Sequence, residues 1–286
     1  MKIWMNGKFV GGERAKISVF DRGFLYGDGV FETMRSYAGK VFCLDEHVRR
    51  LSSSMKAVRI RPPYSEKRLK DIVRKCLEVN KLKSAYIRLA ITRGEGRFGI
   101  YYTDAFTPNV VIVAKEFGPY PGWMHSQGIS ACVVGVRQNE YSPVSYVKSM
   151  NFLNYILARF DAKDKGCDEA ILTNTRGLIA EAATSNIFLV KSGTIIAPSL
   201  DTGIVPGITR DVVIRIARKM RITVKEKKVT RSEMLGADEA FLTNSLVEIL
   251  PVTKIDGRRI GEGIPGEFTK LLHISYQKEV IRQTLS

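Results

Sequence analysis

The stretch from Tyr146 to Ile187 decides how the rest of the chain is interpreted. It reads YVKSMNFLNYILA at 146–158, DEAILTNTRG at 168–177 and LIAEAATSNI at 178–187. Its pattern predicts that Lys148 lies where a strand ends and a helix begins, and that Glu181 lies between a turn and another strand. A lysine and a carboxylate placed in this way can face one cavity. They have the chemistry of an amine that forms a Schiff base and an acid that keeps a heterocyclic nitrogen protonated.

The composition is that of an ordinary globular protein. Among 286 residues, 44% are hydrophobic and 26% are charged, which allows two modest domains or one large one. The chain has no run of about 18 apolar residues, so we expect no membrane span. The N-terminus lacks the apolar core of a secretory signal, and the expected location is the cytoplasm.

The net charge of +16 is the unusual bulk property. A basic surface can indicate a nucleic-acid partner. Here the Lys and Arg residues are spread along the chain, mostly on the polar faces of predicted helices, and no basic cluster is interleaved with aromatic residues. We therefore expect no nucleic-acid partner, and attraction of anionic small molecules as the milder consequence.

Cysteine and histidine usage indicates neither a metal site nor a disulfide framework. The cysteines form no C-x-x-C pair and have no histidine near them at ligand spacing, so we expect reduced thiols and no metal. These residues are Cys43, Cys76, Cys132, Cys167, His47, His125 and His273.

The best linker candidate is FGPYPGWM at 117–124, which carries two prolines and two glycines. We therefore predict a small N-terminal α/β domain over residues 1–117, a linker over 118–125 and a larger C-terminal domain over 126–286.

Three features predict a site for a phosphate group. Ile208 and Thr209 follow Pro-Gly at a predicted helix N-terminus, where backbone N–H groups favour an anion. Ser245 and Leu246 follow a predicted strand and offer a second hydroxyl and amide. Arg50 can add a bidentate cation. Together with Lys148 and Glu181, these residues make a pyridoxal phosphate pocket.

With these residues, the chain resembles the class IV (fold-type IV) family of pyridoxal-phosphate enzymes over nearly its full length. That family includes branched-chain aminotransferases, D-amino-acid aminotransferases and aminodeoxychorismate lyases. The matching segments occur in the family's order: YGDGVFETMR at 26–35, EHVRRL at 46–51, YIRL at 86–89, VKSMNFLN at 147–154, EAATSNIF at 181–188, PGITR at 206–210 and TNSLVEILPV at 243–252.

The resemblance implies an α/β fold with a small N-terminal domain, a larger C-terminal domain with a β-barrel-like core, and a homodimer. It also implies roles for individual residues. Lys148 resembles the Schiff-base lysine, and Glu181 resembles the partner of the pyridinium nitrogen. Arg50, Ile208, Thr209, Ser245 and Leu246 match the phosphate-binding residues. Tyr26, Phe31, Thr33, Arg35, Tyr86 and Arg88 match positions that line the substrate pocket.

Two residues depart from the branched-chain pattern. Phe152 stands where those enzymes often have a tyrosine that reaches the ring hydroxyl of the cofactor, and Thr33 stands where they usually have glycine. Thr33 and the SPVS run before Lys148 look more like aminodeoxychorismate lyases. Tyr86-x-Arg88, in contrast, is similar to the branched-chain pattern.

The expected function is therefore a pyridoxal-phosphate-dependent transamination between an amino acid, of the branched-chain L type, and a 2-oxo acid. The alternative is an aminodeoxychorismate lyase that releases pyruvate and 4-aminobenzoate. A D-amino-acid transaminase ranks third. A non-enzymatic basic binding protein has no use for Glu181 or the phosphate-binding residues.

Overall fold

Residues 1–96, 99–100 and 106–285 are described by the structure, a computed structural model. The chain divides into two units. The first comprises residues 1–118, 147–152 and 280–286, and the second comprises 119–146 and 153–279. The predicted domain boundaries at 117 and 126 stay a prediction. Lys148 therefore belongs to the first unit, although the sequence places it well beyond the linker.

Within the described residues, the first unit contains a six-stranded antiparallel sheet whose strand order is β2-β1-β6-β5-β3-β4. Its strands are β1 (Lys2–Met5), β2 (Lys8–Gly11), β3 (Gly29–Tyr37), β4 (Lys40–Val41), β5 (Ala85–Thr92) and β6 (Asn109–Glu116). Its helices are α1 (Arg22–Tyr26), α2 (Leu44–Ala57) and α3 (Glu66–Val79). Asn6 and Gly7 join β1 to β2 with φ of 46° and 98°, the left-handed conformation of a two-residue hairpin.

One face of this sheet packs against α2 and α3. Side chains alternate along each strand, so every second residue of β3, β5 and β6 lies on this face. The helices contribute apolar residues at helical spacing to the same core. The core includes Val30, Met34, Ile87, Leu89, Ile112, Val48, Leu51, Met55, Leu69 and Val73. The opposite face of β3 and β5 is half-buried and carries the polar and aromatic residues discussed below.

The second unit is built on a larger mixed sheet. Among the described residues its strand order is β12-β11-β10-β13-β14-β7-β8-β9, with β15 beside β14. The strands are β7 (Ile129–Gln138), β8 (Glu169–Asn174), β9 (Ile179–Ala182), β10 (Asn186–Lys191), β11 (Thr194–Pro198), β12 (Val224–Lys227), β13 (Glu239–Asn244), β14 (Glu248–Ile255) and β15 (Arg258–Arg259). Because β9 also lies beside β10, the sheet curls on itself. The predicted α/β class with a barrel-like sheet is confirmed.

The helices of the second unit are α4 (Gly122–Ser126), α5 (Leu153–Asp164), α6 (Ile208–Lys219) and α7 (Arg231–Leu235). A further helix, α8 (Glu267–Thr284), begins in the second unit, and its last residues belong to the first. The outlying strands β12 and β15 are largely exposed, whereas strands β8 and β9 are buried at every position. A polar side chain on these strands therefore needs partners, which is the case for Glu181.

The packing of α2 makes a prediction about stability. Leu51 is fully buried in the core of the first unit, so Leu51→Ala should lower the free energy of unfolding by about 2–5 kcal/mol through lost burial and a cavity. Val79→Ala, at a position 37% exposed on α3, is the matched aliphatic truncation and should change it by less than about 1 kcal/mol. Chemical denaturation measures both, and equal losses would contradict this packing.

Candidate active site

Lys148 lies in an extended segment that runs beside β3. The Phe31 N–H donates to the Lys148 carbonyl oxygen at 3.0 Å, and the Met150 N–H donates to the Gly29 carbonyl oxygen at 2.9 Å. An isolated bridge joins Val30 to Ser149 between these two bonds. The prediction that a strand ends and a helix begins at Lys148 is wrong, because the backbone pairs with a distant strand and α5 begins only at Leu153.

The Lys148 side chain lies over an aromatic ring. Its Nζ is 4.7 Å from the centroid of the Phe31 ring, and the Arg88 guanidinium carbon is 3.8 Å from the same centroid. Cations at these distances are attracted by the ring quadrupole. Phe152 packs edge-on against Phe31, with the centroids 5.5 Å apart. Phe31 thus contacts Lys148, Arg88 and Phe152, one of the two residues that depart from the branched-chain pattern.

The half-buried face of β3 and β5 carries five of the predicted substrate residues. The strands pair so that Thr33 lies opposite Arg88 and Arg35 lies opposite Tyr86. Residues two apart on a strand point to the same face, and directly opposed residues share that face. Phe31, Thr33, Arg35, Tyr86 and Arg88 therefore form one row of side chains.

Tyr26, the sixth predicted substrate residue, lies at the end of α1 rather than in this row. Its hydroxyl accepts a hydrogen bond from the Gly99 N–H at 2.9 Å. The Arg22 guanidinium lies 4.9 Å from its ring centroid. The side chain is partly exposed, so it is accessible to a small molecule.

Arg50, on α2, is held by a buried carboxylate. Its Nε donates to Glu32 Oε1 at 2.8 Å and its Nη2 donates to Glu32 Oε2 at 2.7 Å. His47 Nδ1 lies 2.7 Å from Glu32 Oε2. Sequence reasoning identified Arg50 but missed Glu32 and His47. The available signal was a glutamate at a core-facing position of an otherwise apolar strand row.

The electrostatics of this cluster follow from burial and pairing. Burial raises the pKa of Glu32, but the charge of Arg50 and the hydrogen bonds from Arg50 and His47 outweigh it and lower that pKa to about 2. Burial lowers the pKa of His47, against the opposite effect of Glu32. His47 is therefore neutral near pH 7, and its Nδ1–H donates to the carboxylate.

Glu181, on β9, is buried and receives three hydrogen bonds. The Tyr155 hydroxyl donates to Oε1 at 3.1 Å, while Asn186 Nδ2 and the Val205 N–H each donate to Oε2 at 3.3 Å. Gln138 Nε2 donates to the Tyr155 hydroxyl at 2.8 Å. Burial, with the charge of Glu181 second, raises the pKa of Tyr155, so its O–H stays a donor. These donors fix the carboxylate in one orientation.

The N-terminus of α6 is open to an anion. Gly207 is its N-cap, and no side chain in the described part of the chain caps the first turn, which begins with Ile208 and Thr209. A Cβ at Gly207 would lie 1.9 Å from Asn186 Oδ1, so only glycine allows this close approach. The helix start therefore keeps uncapped N–H groups beside a backbone without a side chain, which fits a phosphate group.

The turn after β13 is stabilised by Asn244. Its Oδ1 accepts from the Leu246 N–H at 2.8 Å and the Val247 N–H at 2.9 Å, and its Nδ2 donates to Ser185 Oγ at 2.9 Å. The Leu246 N–H is thus already bonded within the turn. Thr243 Oγ1 is a buried hydroxyl oxygen without a hydrogen-bond partner among the described residues. A buried hydroxyl of this kind fits an external polar group.

The predicted site residues fall into two groups. The first unit holds Lys148, Arg50 and the substrate row, while the second unit holds Glu181, the α6 N-terminus and the turn after β13. The amine and the oriented guanidinium of the first unit, and the fixed carboxylate and uncapped helix start of the second, are each groups of a kind that binds pyridoxal phosphate.

Comparison with known protein families identifies the family of this chain. Residues 29–255 match the amino-transferase class IV family. The chain belongs to that family. Class IV aminotransferases use pyridoxal phosphate, and the chain is a pyridoxal-phosphate-dependent aminotransferase.

Proteins with similar sequences are named for several different activities. A protein of Methanocaldococcus jannaschii, provisionally named a branched-chain-amino-acid aminotransferase, is 44% identical over 95% of this chain and 94% of its own length. A D-alanine aminotransferase of Bacillus licheniformis is 32% identical over 99% of both chains. An aminodeoxychorismate lyase of Bacillus subtilis is 34% identical over 97% of this chain and 94% of its own.

Solved structures agree with the fold. The branched-chain amino acid aminotransferase of Escherichia coli superposes with a TM-score of 0.94 at 33% identity, over 97% of this chain and 93% of that one. The enzyme of the same name from Thermobaculum terrenum, solved in its pyridoxal-phosphate form, superposes with a TM-score of 0.88 at 28% identity, over 99% and 95%.

The part of the chain that the structure describes contains neither a membrane-spanning helix nor a cluster of metal-ligating side chains. No helix there is long and apolar enough to cross a membrane. No group of three or more His, Cys, Asp or Glu side chains in the same residues could hold a metal ion.

The Glu32 pKa predicts how stability depends on pH. Because the folded pKa is lowered from 4.5 to about 2, its stabilisation is fully present above pH 4.5 and is lost as the pH falls towards 2. This linkage amounts to about 3 kcal/mol. We compare His47→Gln with His47→Gln/Glu32→Gln, since removing His47 removes the second titrating group.

Arg50, the larger cause of the lowered pKa, remains in both variants. The difference in their free energies of unfolding should therefore still shrink from pH 6 to pH 3, but by less than the change of about 2 kcal/mol expected with His47 present. Urea titrations at both pH values measure it. A difference that does not change with pH would show that the pKa of Glu32 is not lowered in the folded protein.

Proposed function

We propose that this aminotransferase moves an amino group between a branched-chain L-amino acid and a 2-oxo acid. The observation that carries the proposal is the row on β3 and β5, where Tyr86 and Arg88 share a face with Phe31. Lys148 Nζ lies over the same aromatic ring. An apolar substrate side chain would pack against Phe31 and Phe152, and a carboxylate would be attracted by the arginines of the row.

Lys148 is the proposed catalytic residue. Its amine would hold the cofactor through the aldehyde, and the same amine would take up and return the proton at the substrate Cα. When bound, the cofactor supplies an electron sink for the negative charge that develops at Cα. Glu181 is proposed to hold the ring nitrogen protonated, and the donors from Tyr155, Asn186 and Val205 support this role by fixing the carboxylate in one orientation.

The remaining predicted residues bind the phosphate and the substrate. Arg50 supplies a fixed cation, Ile208 and Thr209 supply the first N–H groups of α6, and Ser245 supplies a hydroxyl. Leu246 would share its N–H between Asn244 and the phosphate. Tyr26, Phe31, Thr33, Arg35, Tyr86 and Arg88 are proposed to contact the substrate.

The second candidate function is a lyase that releases pyruvate and 4-aminobenzoate from aminodeoxychorismate. Thr33, opposite Arg88 in the row, supports it, because this residue resembles the lyase pattern. Phe152, packed against Phe31, lacks the hydroxyl often found at this position in branched-chain enzymes. One similar protein also bears this name. D-amino-acid transamination ranks third and has a similar protein of its own.

A screen of half-reactions separates these functions. The purified protein with its cofactor is mixed with L-leucine, L-glutamate, D-alanine or D-glutamate, and loss of the visible absorbance reports amino-group transfer. We expect conversion by L-leucine and L-glutamate. Conversion by the D-amino acids alone, or pyruvate release from aminodeoxychorismate without any conversion, would replace the branched-chain proposal. Lys148→Ala is the control, and it should lack the absorbance of covalently bound cofactor.

We also propose that the chain forms a homodimer in the cytoplasm. Helix α5 buries Ala158 and Ala162 but exposes an apolar row at helical spacing. The row consists of Leu153, Ile156, Leu157 and Phe160, each 44–66% exposed. An exposed apolar row of this kind favours a protein partner, and a second copy is the commonest one. The free state of all four cysteines fits a reducing compartment.

The dimer proposal is tested by Ile156→Glu/Phe160→Glu. Two buried carboxylates without partners should break an apolar interface, so the mass from sedimentation should fall from two chains to one. Ile274→Glu, at an apolar position on α8 that is 52% exposed, is the control and should leave the mass unchanged. A wild-type protein that sediments as a single chain would contradict the proposal.

A further inference from the structure

Glu32 is a carboxylate in an apolar core. Along β3, Val30, Glu32 and Met34 point to the face that packs against the helices, and all three are fully buried. A charged group in this position costs free energy unless it is paired and hydrogen-bonded. An apolar residue at this position would therefore pack in the core at a lower cost in free energy.

The pairing of the Glu32 carboxylate fixes the orientation of the Arg50 guanidinium. Glu32 and Arg50 form two parallel N–H···O bonds of 2.8 and 2.7 Å, so the plane of the guanidinium is fixed. The direction of its outer edge is then fixed as well. The Arg50 side chain is itself only 13% exposed, which leaves it little freedom to move.

His47 completes the arrangement without adding charge. It is a neutral donor to Glu32 Oε2, so Oε2 accepts from both His47 and Arg50. The carboxylate therefore cannot rotate to follow Arg50, and the guanidinium adopts the orientation that the carboxylate imposes.

Stability alone does not account for this cluster. Replacing a buried ion pair by apolar residues of similar size is often neutral or stabilising, so such a pair is weak evidence of a role in stability. The neighbouring residue, Phe31, bonds the backbone of Lys148. Two consecutive residues of β3, Phe31 and Glu32, thus fix Lys148, proposed to bind the cofactor covalently, and Arg50, proposed to bind its phosphate.

We propose that Glu32, supported by His47, is a positioning residue that orients the Arg50 guanidinium towards the phosphate of the cofactor. The inference rests on the proposed role of Arg50. It assigns to Glu32 and His47 a function in cofactor affinity, although neither is assigned a contact with the cofactor.

The test compares two ligands that differ only in the phosphate. Full-length protein freed of cofactor is titrated with pyridoxal phosphate and with pyridoxal, and binding is followed by absorbance. Glu32→Gln keeps the shape of the side chain and removes its charge. It should weaken pyridoxal phosphate binding about tenfold and change pyridoxal binding less than about twofold, since an Arg–phosphate pair depends on orientation.

The matched control is Glu169→Gln. Glu169 is also a buried carboxylate paired with an arginine, with Arg159 Nη1 at 2.8 Å, but it has no proposed role in cofactor binding. It should leave the affinities for both ligands within about twofold of the wild type. Arg50→Ala provides the second comparison, because Glu32→Gln should have no further effect on phosphate affinity in that background.

Each outcome of these titrations either supports or overturns the inference. Equal weakening for both ligands, or a full further loss in the Arg50→Ala background, would show a general structural role and overturn the inference. A wild-type protein that binds neither ligand would instead overturn the proposed function. If Glu32→Gln yields no folded protein, His47→Gln keeps the ion pair and should raise the ratio of the two dissociation constants about threefold. An unchanged ratio for His47→Gln would also overturn the inference.

Discussion

The hydrogen bonds between β3 and the segment around Lys148 are the constraint on which the first unit depends. Phe31 and Gly29 pair with Lys148 and Met150, so a segment remote in sequence is fixed along the first residues of β3. The same strand presents Phe31 to the lysine side chain on one face and Glu32 to Arg50 on the other. The alternation of a β-strand therefore assigns two different chemical tasks to two consecutive residues.

The second unit meets a different requirement, which is to hold a carboxylate in one orientation among buried strands. Tyr155, Asn186 and Val205 donate to Glu181, and burial ensures that the tyrosine remains a donor. Asn186 also lies against Gly207, at the N-cap of α6. One side chain thus links the orientation of Glu181 to the uncapped helix start, so a change at Asn186 should affect both.

The chemistry of the site was more predictable from the sequence than its construction. Lys148, Glu181 and the α6 N-terminus lie in short motifs, and a short motif carries residue type and spacing directly. The strand predicted to end at Lys148 was wrong because its backbone partners are more than a hundred residues away. Glu32 and His47 were missed for the same reason, since their roles arise from pairing between a strand and a helix. Phe152 was recognised as a departure, but its contact with Phe31 required the structure.

Lys148, as the residue proposed to carry the cofactor, is central to the proposed chemistry. Reduction of the cofactor-loaded protein with borohydride makes the covalent bond permanent, and mass spectrometry of its peptides then locates it. We predict that the pyridoxyl group lies on Lys148, within the segment held by β3, and on no other lysine. A modified lysine elsewhere, or an unmodified peptide from protein that retains the visible absorbance, would contradict the account.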